Sequence, residues 1–134
     1  MNNSECKIQM LDLFFSKYSF AQERRDDNKE YNSSFTINYA INNDDDSKIK
    51  VIIDTSVTNN TGSISLELQT VGMFKIDKMD LEQNIYEHLV KVNTVAIIFP
   101  FIRSQISLLT TQPGMTPIML PPMNLNALID SQEN

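Results

Sequence analysis

Hydrophobic positions along the chain change period once, from two to about 3.6, and the change divides it into a sheet-forming first part and a helical second part. Phe35, Ile37, Tyr39 and Ile41 alternate with Thr36, Asn38, Ala40 and Asn42. Ile49, Val51, Ile53 and Val57 form a second such series, and Ile64, Leu66, Leu68, Gly72, Phe74 and Ile76 a third. Each predicts a strand with one buried face. Asn42 to Ser47 (NNDDDS) and Asn59-Asn60-Thr61-Gly62 supply turn chemistry between them, giving an antiparallel meander. Gly72 is expected at a bulge or a close backbone approach. Ahead of these, Lys7 to Gln22 reads as a longer strand whose phase changes. Ile8, Met10, Phe14, Tyr18 and Phe20 share one parity, and Leu11, Leu13 and Phe15 take the other. A bulge near Asp12 accounts for the change, and an edge paired with a second subunit accounts for two apolar faces. Glu23 to Glu30 (ERRDDNKE) reads as a solvated connection without chemistry of its own.

In the second part, Asp80 is expected to cap a short helix with Leu81, Ile85, Leu89 and Val92 on one face, and Asn93 to break or cap the chain before the main helix. From Asn93 to Thr111, Val95, Ile98, Phe99, Ile102, Ile106 and Leu109 share one face, while Ile97, Phe101, Ser104, Leu108 and Thr111 fall opposite. A helix lying on its own sheet needs only the first face. The second, apolar with small polar residues, predicts an oligomer interface with another subunit. Pro100 is expected to kink this helix, and Gln112-Pro113-Gly114 to end it. Beyond lies an extended segment holding Met115, Ile118, Met119, Leu120 and Met123, kept irregular by its prolines, then a short helix from about Asn124 to Ile129. Methionine is flexible and polarizable, so such a surface adapts to many apolar shapes. The expected architecture is an α+β fold, a four-stranded antiparallel sheet followed by a long helix and a short C-terminal helix, in one domain over residues 1–134.

Composition narrows the function. With 134 residues and 41% hydrophobic content, the core is small and gains from an oligomeric interface. A formal charge of −6 and a pI near 4.6, with scattered basic residues, argue against nucleic acid as partner. The single cysteine, Cys6, and single histidine, His88, exclude an internal disulfide and a Cys/His zinc site, and a reducing cytoplasm is the expected location. Asp44-Asp45-Asp46 lacks the glycine and closing glutamate of a calcium loop. His88 has no nucleophile or orienting carboxylate tied to it by any motif, so no catalytic site, metal or cofactor is expected. The longest apolar run, Val95 to Ile102, contains Pro100 and falls far short of the roughly 20 residues that cross a bilayer, and MNNSECK has no signal-peptide layout. No membrane insertion is expected.

The segment IIFPFIRSQISLLTTQPGMTPIMLPPMNLNALI resembles the C-terminal signature of the SecB family of protein-export chaperones. Ile98-Phe99-Pro100-Phe101 with Arg103, the turn Gly114-Met115-Thr116-Pro117, and Leu120-Pro121-Pro122-Met123-Asn124-Leu125-Asn126-Ala127-Leu128 match it in order. Weaker similarity runs upstream through Ser19-Phe20, Val57-Thr58, Gly62, Glu67-Leu68-Gln69, Gly72 and Phe74. The resemblance implies homotetramers, dimers of dimers, with long helices between two eight-stranded sheets. It also implies apolar grooves that hold unfolded preproteins, without ATP or enzymatic chemistry, for delivery to the SecA motor. Phe20, Met73, Phe74, Met115, Ile118, Met119, Leu120 and Met123 are the expected client-binding positions. The family's SecA contact uses acidic residues near the end of the first strand and in the fourth. Glu67 matches the fourth-strand acid, but Lys17 and Ala21 stand where first-strand acids are expected. A SecB-like chaperone dedicated to one partner, such as the antitoxin of a toxin–antitoxin system, is the alternative within this fold. A hot-dog-fold thioesterase is the alternative outside it; that fold places its helix early, and it needs a carboxylate that Asn93 to Thr111 lacks.

Overall fold

The structure, a computed structural model, describes residues 8–78 and 81–132, so Cys6 and the expected helix cap at Asp80 lie outside the described residues. Four antiparallel strands, β1 (Ile8–Gln22), β2 (Tyr31–Ile41), β3 (Lys48–Asn59) and β4 (Ile64–Ile76), lie in the order β1-β4-β3-β2. The meander β2–β3–β4 is the expected one. The first strand returns along β4, in a Greek-key connection, so that β1 and β2 form the two edges. All strands precede the helices, which is not the hot-dog arrangement.

One face of the sheet is buried. Ile49, Val51, Ile53, Val57, Ile64, Leu66 and Phe74 are inaccessible to solvent or nearly so, and they pack with Val95, Ile98, Ile102 and Ile106 of the main helix. Phe35 meets Phe99 with ring centroids 5.4 Å apart. At Gly72 the ladder is unbroken, with Leu13 on one side and Val51 on the other, so this glycine serves close approach and not a bulge.

The first strand carries two bulges where one was expected, between Met10 and Asp12 and between Phe15 and Lys17. Each inserts a residue and reverses the parity of the positions after it. Met10, Leu13, Phe15, Tyr18 and Phe20 therefore stand opposite Phe74, Gly72, Thr70, Leu68 and Leu66 of the core-facing row. Phe14, grouped by simple parity with Ile8, instead pairs with Val71 on the outer face and is exposed.

The connection from Glu23 to Glu30 is more than a solvated loop. Asp26 accepts hydrogen bonds from the Thr61 hydroxyl, the Asn28 backbone N–H at 2.8 Å and the Ser63 hydroxyl at 2.7 Å. These bonds, Thr61 first, hold its carboxyl well below the usual range, at about 2. The loop is thus strapped to the β3–β4 turn, where Gly62 takes φ 77°.

The helical part is continuous from Gln83 to Leu109, 27 residues, without the expected break at Asn93. It consists of α1 (Gln83–His88), a π-helical turn (Leu89–Asn93) and α2 (Thr94–Leu109) with Pro100 inside it. The wider turn shifts the buried stripe by one position. Tyr86 and Val90 are buried, whereas Ile85, expected on the inner face, is 46% exposed. The Lys91 carbonyl accepts the Tyr39 hydroxyl at 2.7 Å, and the Val90 carbonyl accepts the Thr94 hydroxyl at 2.6 Å. By length and composition alone this joined helix could cross a membrane, a property shared by core helices of soluble folds. Here its inner stripe packs on the sheet. A final helix, α3 (Leu125–Gln132), comes after an irregular segment and buries Ile129.

Candidate functional site

The expected buried face of α2 is buried, with Leu109 half-covered, and the opposite face is not covered by this chain. Leu108 is 67% exposed and Phe101 45%; Ser104 and Thr111 are exposed and Ile97 is half-buried. Beside this face runs the extended segment Met115 to Met123, and three polar side chains of the helix hold it there. Thr110, fully buried, accepts the Ile118 backbone N–H at 2.8 Å while donating to the Ile106 carbonyl at 2.8 Å. The Ser107 hydroxyl lies 3.1 Å from the Ile118 carbonyl, and Arg103 Nε donates to the Leu120 carbonyl at 3.1 Å. Arg103, Ser107 and Thr110 are spaced i, i+4, i+7 and so share one stripe.

Pinned this way, the segment alternates like a strand. Ile118 and Leu120 turn inward and are buried, and Met119 turns outward at 72% exposure. Between Met119, Pro117 and the outer face of α2, with Pro100, Ser104, Leu108 and Thr111 along its wall, lies an open cleft of about 620 Å³. Residues expected at an oligomer interface and residues expected to touch a client therefore line one cleft.

The other expected positions are dispersed. Phe74, Ile118 and Leu120 are core residues of the chain itself, with their side chains turned away from solvent. Met115 and Met123 are half-buried against the core, as is Phe20 on the inner face of β1. Met73 lies on the far side of the sheet, in a small hollow with Ala40, Ile41 and Lys50. Glu67 is exposed on that outer face, where the Ser56 hydroxyl donates to it at 3.2 Å; it shares a depression with Lys17, Asp54 and Gln69. Sequence reasoning noted Arg103 only within the resemblance and missed its role here, together with Ser107 and Thr110; their helical spacing was the available signal. Among the described residues no group of acidic, histidine or cysteine side chains has the arrangement of a metal site.

A family model described as "Preprotein translocase subunit SecB" matches residues 2–134. The chain belongs to the SecB family. Among curated SecB relatives, the "Protein-export protein SecB" of Anaplasma phagocytophilum (strain HZ) is 30% identical over 78 residues, 58% of this chain and 49% of that protein. The protein of the same name from Rickettsia akari (strain Hartford) is 38% identical over 63 residues, 47% of this chain and 40% of that one. The chain thus spans about half the length of the curated relatives it matches. A solved structure titled "Mycobacterium tuberculosis Rv1957 SecB-like chaperone in complex with a ChAD peptide from Rv1956 HigA1 antitoxin" superposes with a TM-score of 0.73 at 15% identity, covering 90% of each chain. The sheet followed by a long and a short helix is the SecB-like fold.

Proposed function

We propose that this chain is an ATP-independent holding chaperone that binds non-native polypeptide through exposed apolar surface. The observation that carries the reading is the cleft between α2 and Met119 in a member of the SecB family. A passive holder needs adaptable apolar surface and no reacting group. Met119, Leu108 and Phe101 supply such surface, and each buried Å² contributes about 25 cal/mol. The working form is a homo-oligomer, a dimer of dimers, in which a second copy covers part of the α2 face. It acts as one domain in the cytoplasm, without a cofactor, and its clients are unfolded preproteins bound for export.

A second reading, a chaperone dedicated to one client such as an antitoxin, draws on the likeness to a chaperone whose title names an antitoxin peptide. It also draws on Lys17 and Ala21 in β1, where acidic residues would favour a SecA-like partner. In the export reading that partner docks at Glu67 on the outer face of the sheet.

Aggregation suppression with several unfolded substrates tests the proposal. Wild type should suppress aggregation at a slight molar excess of tetramer. Changing Met119 alone to Ser should weaken binding about tenfold while leaving the melting temperature nearly unchanged, since Met123, half-buried against the core, stays in place. Loss of suppression together with stability would mean that Met119 supports the fold and is not client surface. Absence of suppression by the wild type would leave the dedicated reading.

A further inference from the structure

At the outer edge of β2 one side chain bonds the backbone of Phe35 and Ile37. Gln132, the last residue of α3, donates from Nε2 to the Phe35 carbonyl at 2.8 Å and accepts the Ile37 backbone N–H on Oε1 at 3.1 Å. Phe35 and Ile37 pair across with Thr55 and Ile53 of β3, and in an antiparallel pair successive residues direct their N–H and C=O groups to opposite sides, so residues two apart face the same way. The Phe35 carbonyl and Ile37 N–H therefore point away from β3, toward the side where a fifth strand would lie. A carboxamide is chemically a peptide group. This one makes the two bonds that one residue of a parallel neighbouring strand would make, to the carbonyl of one residue and the N–H two further on.

The element that presents this amide is lightly held. Of α3, Ile129 alone is fully buried and Leu125 and Leu128 pack partly against the core, while Asn126, Ala127, Asp130 and Ser131 are exposed. At 8 residues the helix is too short to persist without tertiary support, and it hangs from the exposed Pro121-Pro122 tether. Further along the same edge, Tyr39 and Ile41 border a cleft of about 260 Å³ walled by Tyr86 and Val90, an apolar receptacle for side chains of an added strand.

We infer that α3 is a latch on the β2 edge, Gln132 standing where the backbone of an extended polypeptide docks, and that such a segment binds by displacing it. The inference rests on the holding reading above and adds to it a backbone-recognising site, regulated by the chain's own C-terminal helix. A strand added in either direction competes with Gln132, because both orientations use the Phe35 carbonyl and the Ile37 N–H.

The test uses the full chain, wild type and Gln132→Ala. The probe is a synthetic peptide of alternating valine and threonine flanked by lysines, with a counterpart N-methylated at alternate residues. Removing the amide should tighten binding of the plain peptide about tenfold, the effect of two lost modest hydrogen bonds on the closed state, and should leave the methylated peptide unbound. Exchange of the Ile37 amide hydrogen should quicken in Gln132→Ala and slow again when the plain peptide is added. Gln132→Glu, which can still accept from Ile37 but cannot donate to Phe35, should fall between wild type and Gln132→Ala. Equal affinity of wild type and Gln132→Ala, equal affinity for the methylated peptide, or unchanged Ile37 exchange overturns the inference. Reduced and carboxymethylated lactalbumin separates the two readings. Binding of that chain without any gain from Gln132→Ala sinks the latch alone, whereas a peptide gain without lactalbumin binding sinks general holding and retains the edge site.

Discussion

A methyl group built on Gly72 would lie 2.8 Å from Cδ1 of Ile98, closer than real side-chain contacts. The helix approaches the sheet at this point as nearly as a bare backbone permits, and both partners sit in the core. Ile98 is fully enclosed, so its side chain has nowhere to withdraw. Gly72→Ala is expected to destabilise the fold by about 1–3 kcal/mol through overpacking, more than the modest gain from restricting the unfolded chain. Urea denaturation measures it; an unchanged midpoint would show that the helix can lift without penalty.

The pinned segment predicts a second effect. Thr110→Val keeps the shape of the side chain but removes the oxygen that accepts the buried Ile118 N–H. The orphaned donor should cost about 1–3 kcal/mol, and Thr110→Ser should restore most of it. The Ile118 amide should exchange faster in the valine variant, and Met119 should lose its fixed outward orientation, weakening client binding as well.

Acid should loosen the strap at Asp26. Its carboxyl titrates at about 2 in the folded protein, below its ordinary 3.8, so the ionised group favours folding above the ordinary value. That contribution declines as pH falls from about 4 toward 2. Asp26→Asn should therefore be less stable than wild type at neutral pH, and most of the difference should be gone by pH 2. Parallel thermal melts across that window would read it, and a difference independent of pH would contradict the assignment.

Ser104→Arg places a charge in the cleft shared by the expected interface and client surfaces. It should split the oligomer and weaken client binding together, whereas Met119→Ser affects binding alone. Light scattering at micromolar concentration decides. A wild-type monomer would remove the oligomer from the proposal.

The three meander strands were legible because each has one buried face and an uninterrupted alternation, from Phe35 to Ile76. Parity alone misplaced Phe14, because two bulges, not one, rephase β1. The stripe of α1 was misread by a single residue, Ile85 for Tyr86, since a π-helical turn leaves no mark in hydrophobic spacing that an ordinary helix reading detects. At the candidate site, a methionine-rich composition could identify the segment but not its facing. Which of Ile118, Met119 and Leu120 looks outward depends on hydrogen bonds from Arg103, Ser107 and Thr110. Phe74 belonged to the inward parity of β4 from the start, and that parity, not its place in the resemblance, describes its position.

The π-helical turn gives the long helix a joint whose setting depends on length. An α-helix advances about 100° per residue and a π-helical turn less, so the turn at Leu89–Asn93 takes up one extra residue while Gln83–His88 keeps its inner face on the core, and deleting that one residue would restore a regular spiral with little rotation. Deleting a second residue would turn Gln83–His88 by about 100°, swing Tyr86 out of the core and take the Lys91 carbonyl away from the Tyr39 hydroxyl. Substitutions in this turn change the shape of one contact. Only a loss of length beyond the one residue that the turn absorbs would re-aim half of the helix, leaving α2 and its cleft in place while giving the cleft beside Tyr39 and Ile41 a different wall.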